Sequence, residues 1–175
     1  MSSPTEKNES FASCEFQENL DILRQIDFFS GLSMESLKVL AYVCLRENYK
    51  PGDFLFRQGD DDGQALYVLS GLAELIHEDD AGTDVIREFR NGDFLGGLAL
   101  VGQTPRLFSL RAKENLTCLI IEREKFLSVM QQFPEQLAKV VRALVEGIMG
   151  WEERFLMSRS QGCEACRHKI GVSMV

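Results

Sequence analysis

Three textures succeed one another along the chain. From Phe16 the apolar residues fall three or four apart, at Phe16, Leu20, Leu23 and Ile26, the spacing of one buried helix face. The run Phe28-Phe29-Ser30-Gly31-Leu32 breaks that spacing. Ser33 then stands where a second helix, carrying Leu37, Leu40, Ala41 and Cys44, takes its N-cap. Residues 1–15 read as a loose polar lead.

The texture changes at Lys50-Pro51-Gly52-Asp53. From there to about residue 122, short apolar bursts alternate with glycine-bearing turns, at 54–56, 66–69, 72–76, 84–89, 107–112 and 116–121. Turn signals about every eight to twelve residues predict a sandwich or barrel of short strands. One stretch inside this region differs. Phe94-Leu95-Gly96-Gly97-Leu98-Ala99-Leu100 has two adjacent glycines and no alternation, and Thr104-Pro105-Arg106 follows it. It reads as a loop opening a single helical turn.

Helical spacing returns at Arg123, with Phe126, Val129 and Met130 on one face. Pro134 marks the start of a last helix, about 135–158. There Leu137, Val141, Leu144, Ile148, Trp151 and Phe155 are spaced alternately four and three apart, the seam of a helix that packs on another helix. These boundaries predict one domain over 16–158, its strands at about 49–122 and its final helices at about 123–158, followed by a polar tail, 159–175.

Composition narrows the possibilities. The chain has 175 residues, 45% hydrophobic and 26% charged, with a net charge of −8. That balance supports a folded core without disulfides or metal. The acidic excess argues against direct DNA binding, which needs cations to displace the counterions of phosphate. No apolar run is long enough to span a membrane, and the polar N-terminus has no secretory apolar core. The odd count of 5 cysteines suits reduced thiols, so a cytoplasmic setting is expected.

Catalytic signatures are absent. There is no Gly-x-Ser-x-Gly turn, no His-Glu-x-x-His and no phosphate-binding Gly-x4-Gly-Lys loop. Only two histidines, His77 and His168, are available as bases. No enzyme, metal or bound cofactor is expected. The acidic runs Asp60-Asp61-Asp62 and Glu78-Asp79-Asp80 read as solvated turns. Cys163-Glu164-Ala165-Cys166, with His168 nearby, reads either as reduced thiols on the tail or as a redox or metal clip.

The informative segment is 94–111. Gly96 and Gly97 permit a positive φ or a close backbone approach. The turn after them, through Leu98 and Ala99, presents amide hydrogens suited to an anion. Arg106 can add a guanidinium fork, and Ser109 a hydroxyl. No acidic residue lies within four positions of Arg106. It is therefore either a phosphate ligand or the partner of a distant carboxylate.

Gly-Leu-Ala-Leu at 97–100, then Thr-Pro-Arg at 104–106 and an apolar strand, resembles the phosphate-binding cassette of the cyclic-nucleotide-binding domain family. Phe28-Phe29-Ser30-Gly31-Leu32 resembles that family's turn before its barrel. The stretch from Tyr49 to Asp60 resembles its first hairpin, and Leu66-Tyr67-Val68-Leu69-Ser70-Gly71 the strand and glycine beyond it. Gly92-Asp93-Phe94 leads into the cassette, and Leu116 to Phe126 resembles the last strand and following helix.

The resemblance implies a mainly β fold with flanking helices: a jelly-roll β-roll (double-stranded β-helix) of roughly eight strands with N-terminal helices and a long C-terminal helix. It implies a non-enzymatic regulatory sensor of cAMP, cGMP or a similar phosphate-bearing ligand, signalling through movement of the C-terminal helix. The ligand-binding residues would be Gly96, Gly97, Leu98, Ala99, Arg106, Leu107, Ser109 and Trp151. Trp151 would cap the purine, unless it belongs to the helix seam. Two departures favour the other reading. Gly97 stands where the family places a glutamate on the ribose 2′-hydroxyl, and Leu107 and Phe108 stand where it places small residues. The alternative is a degenerate member that binds no nucleotide and acts as a homodimeric interaction scaffold. Either way the 135–158 helix is expected to make a homodimer.

Overall fold

The computed structural model describes residues 4–79 and 82–159. The chain begins with helix α1, Pro4–Gln25. It starts well ahead of Phe16, inside the stretch expected to be a loose lead. A single 3-10 turn, Asp27–Phe29, joins α1 to α2, Met34–Val43. Ser33 caps α2 as expected: its hydroxyl accepts from the Ser36 amide at 3.2 Å.

Eight strands follow: β1 Leu45–Tyr49, β2 Phe54–Phe56, β3 Gln64–Ser70, β4 Leu72–Asp79, β5 Gly82–Arg90, β6 Phe94–Leu95, β7 Ser109–Ala112 and β8 Leu116–Glu122. They form two antiparallel four-stranded sheets, ordered β1-β8-β3-β6 and β2-β7-β4-β5. This is the expected β-roll. β1 has no counterpart in the apolar pattern, because Leu-Arg-Glu-Asn-Tyr is too polar to register as a burst. Its register, Leu45 opposite Ile120 to Tyr49 opposite Leu116, is set by its partner β8. β7 starts later than expected: Leu107 and Phe108 precede it. The β3–β4 turn needs a bare α-carbon, since Gly71 has φ +88° and a Cβ there would stand 2.2 Å from the Asn115 carbonyl.

Period-two alternation divides the strands between two cores. Leu66 and Val68 of β3 and Leu116, Cys118 and Ile120 of β8 enter the roll, beside Phe56, Phe89 and Leu110. Ala65 of β3 and Ile121 of β8 face the helices instead, against Leu23, Phe29, Leu40 and Phe126. The second core ties the roll to α3, Arg123–Gln132, and to α4, Leu137–Arg159, which follows a 3-10 turn at Pro134–Gln136.

Within the single chain α4 covers its seam only in part. Among its described residues Val140 is fully buried and Leu144 packs on the helical core, while Leu137 and Val141 are about half exposed. Val145 and Met149 extend these two into an exposed apolar stripe. The helix is apolar on more than one face, and its neighbours decide which face is covered: Gly31, for example, receives the stem of Lys139. The side chains of Trp151 and Phe155 and the Cys163–Cys166 pair lie outside the described residues. Among the described residues, no helix is long and apolar enough to cross a membrane.

Candidate functional site

The segment 94–111 forms a loop with a short helical turn, as expected. Gly96 adopts φ +87° and precedes the 3-10 turn Gly97–Leu100. A Cβ on Gly96 would meet the Gln64 carbonyl at 2.7 Å and Nη1 of Arg106 at 3.0 Å, so only glycine fits. Gly97 is different: its φ is not in the left-handed region. What limits it is Phe28, whose ring would lie 3.0 Å from an added Cβ. The phenyl group packs on the bare α-carbon at the position where the resemblance places a glutamate.

Arg106 lies at the same turn, and its partner comes from far along the chain. Nε and Nη2 donate to both carboxylate oxygens of Asp62 at 2.7–3.2 Å, and Nη2 also donates to the Gln64 carbonyl at 2.5 Å. The guanidinium carbon sits 4.0 Å from the centroid of the Phe56 ring, a cation–π placement. The Arg106 side chain is 9% exposed and that of Asp62 18%. Three sides of the fork are thereby fixed, and Nη1, beside Gly96, is used by none of these bonds.

The acidic turn after β2 is therefore structural wiring, contrary to the expectation of a solvated loop. The Asp60 carboxylate accepts from the Arg57 amide at 2.9 Å, and its carbonyl accepts from the Arg106 amide at 2.8 Å. Asp61 pairs with Arg123 at the start of α3, and Arg123 donates from Nε to the Ala99 carbonyl at 2.5 Å. That guanidinium holds the Asp61 carboxyl below the ordinary carboxylate range. Two arginines that contact the cassette, Arg106 within it and Arg123 from α3, are thus anchored on consecutive aspartates. The signal was present in the sequence: three consecutive acids in a turn, and an arginine with no local acid.

The other expected residues divide. Leu98 and Leu107 are 52% and 75% exposed at the rim. Ala99 is buried, and its amide already donates to the Gly96 carbonyl at 2.9 Å. Ser109 is fully buried rather than open to an anion. Its hydroxyl accepts from the Gln58 amide at 2.9 Å and donates to Glu78 at 3.5 Å. Phe108, half-buried, meets the His77 ring edge-on at 5.8 Å. So the structure gathers Gly96, Gly97, Leu98, Ala99 and Arg106, keeps Leu107 at the rim, and withdraws Ser109.

Burial pushes the thiols of Cys44 and Cys118 up to about 12, which keeps them unreactive. No group of three metal-ligating side chains converges among the described residues.

The family model described as cyclic nucleotide-binding domain matches residues 46–133. A cGMP-dependent protein kinase of Toxoplasma gondii is 36% identical over 110 residues, covering 62% of this chain and 11% of that protein. Human cGMP-dependent protein kinase 2 is 25% identical over 159 residues, 89% of this chain and 21% of that protein. The chain thus spans only a tenth to a fifth of the length of these two relatives. A solved cyclic nucleotide-binding-like protein from Brucella abortus aligns with a TM-score of 0.61 and 31% identity, covering 65% of this chain and 98% of that one.

Proposed function

The chain belongs to the cyclic nucleotide-binding domain family, and from that premise we propose that it is a non-enzymatic regulatory sensor of a cyclic nucleotide, cAMP or cGMP. The observation that carries this reading is Arg106. Its guanidinium is fixed by Asp62, Gln64 and Phe56 beside the Gly96 turn, with Nη1 left to receive a phosphate oxygen. A pre-positioned fork loses little entropy on binding an anion. Gly97 offers no carboxylate to a ribose hydroxyl, so the phosphate supplies most of the recognition. Occupancy passes to a partner through the cassette and α4, which face each other across an open cleft.

The test is thermal. Wild-type protein melted with and without millimolar cAMP and cGMP should gain several degrees with at least one of them, the linkage expected when ligand binds only the folded state. Arg106→Gln should lose that gain. No response to either nucleotide would transfer the function to the second reading.

That second reading is a homodimeric interaction scaffold without a nucleotide. It is favoured by the stripe Leu137, Val141, Val145 and Met149, each 45–59% exposed, and by the Phe28 ring against Gly97. The two readings are compatible if dimerisation is the output of sensing.

A further inference from the structure

Behind the cassette lies an open cleft of about 780 Å³ to which Arg106 contributes nothing. The turn Asp27–Phe29 forms one wall, β6 and the Gly97–Leu100 turn the floor, and α4 the facing wall. Its volume falls in the range of about 300–1,000 Å³ typical of small-molecule sites. Phe28, Phe94, Leu98, Leu144 and Ile148 make the lining mainly apolar.

The polar character of the cleft has one sign. Among the described residues, Asp27 on one wall and Glu146 on the other are the ionisable side chains of the lining. Neither carboxylate has an ion pair or a side-chain hydrogen bond among the described residues. The described bases of α4, Lys139 and Arg142, are not part of the lining. An anionic guest would meet two like charges, whereas a cation would meet two free carboxylates across an apolar floor.

We propose that this cleft, which shares Gly96, Gly97 and Leu98 with the phosphate cradle but lacks Arg106, is a second ligand site, for a small apolar molecule bearing a protonated amine. The apolar body lies on Phe28 and Leu144, and the ammonium sits at the rim between Asp27 and Glu146. Such a molecule wedges between the cassette turn and α4.

A charge-inverted pair of probes tests the proposal in the absence of any nucleotide. Calorimetric titration of the full chain with 4-phenylbutylamine should show saturable one-to-one binding, about tenfold tighter than 4-phenylbutyrate. The double variant Asp27→Asn, Glu146→Gln should erase that preference. Gly147→Leu should abolish binding of the amine. Gly147 lines the cleft, and a Cβ there meets no atom within 4 Å, so the new side chain fills the space while helix propensity improves. An unchanged or raised melting temperature for Gly147→Leu verifies its fold. Equal binding of amine and acid, no binding of either, or amine binding that survives Gly147→Leu would overturn the proposal.

Discussion

Asp62 grips Arg106 through both carboxylate oxygens, although 44 residues separate them in the chain. The pair joins the acidic turn after β2 to the cassette, so the residue placed to meet a phosphate is also a structural strut. Arg106→Ala removes both roles at once and leaves Asp62 uncompensated. The expected cost is about 2–4 kcal/mol of stability without any ligand, measured by urea unfolding. Adding Asp62→Ala should recover part of that loss, and a double-mutant cycle with no coupling would contradict the strut.

Gly97→Glu separates local space from ligand chemistry. The backbone there tolerates a side chain, but the new Cβ presses on Phe28, whose ring also packs on Phe29, Phe94 and Phe126. The single substitution should cost about 1–3 kcal/mol by overpacking. Combined with Phe28→Ala, the carboxylate gains room to meet a ribose hydroxyl. Affinity for cAMP or cGMP should then rise about ten- to a hundredfold over Phe28→Ala alone, read by calorimetry.

Gly96→Ala should behave differently from Gly97→Ala. Alanine at 96 must hold φ +87° and collide with the Gln64 carbonyl, so a loss of about 2–3 kcal/mol is expected. At 97 only the Phe28 ring has to yield. Chemical denaturation of the two variants side by side should rank 96 as the more damaged.

The outer face of one sheet carries a row running Phe54, Arg111, Glu74 and Glu88 across all four strands. Lys113 and Arg90 flank Glu88 at 2.8 Å each and hold its carboxyl down at about 2, against an ordinary 4.5. A depressed carboxyl stabilises the fold above its unfolded value. That contribution is complete at neutral pH and lost as pH falls from about 4.5 towards 2. Melting curves across this window should show a shallower acid loss for Glu88→Gln than for wild type, and the difference should shrink in high salt because these groups are exposed.

Homodimerisation through α4 should depend on the exposed stripe. Changing Leu144 would damage the core it packs on, so the informative pair is Val141→Glu with Val145→Glu. Light scattering should report a dimer for wild type and a folded monomer for the double variant. A wild-type monomer at high concentration would remove the dimer from either functional reading.

Much of this protein was legible because much of it is local. Ser33 caps α2 with a residue three positions away, and glycine turns and apolar bursts mark most of the strands, since these choices are made by neighbouring φ, ψ and side-chain volume. The cassette turn, with Gly96 before Leu98 and Ala99, belongs to the same class. β1 was invisible for a physical reason: a strand with few apolar residues exists only because β8 offers it a hydrogen-bonding edge. Three further features were decided by the tertiary fold alone. Arg106 was identifiable as a cation in need of an anion, but the choice of Asp62 depended on how the β2–β3 turn folds over the cassette. Ser109 looked available in sequence, and its register on β7 spends it on Gln58 and Glu78. On α4 the spacing favours a seam through Leu137 and Val141, yet Val140 is buried instead. Periodicity says that a helix has an apolar face, and only the shape of what it packs against selects which one.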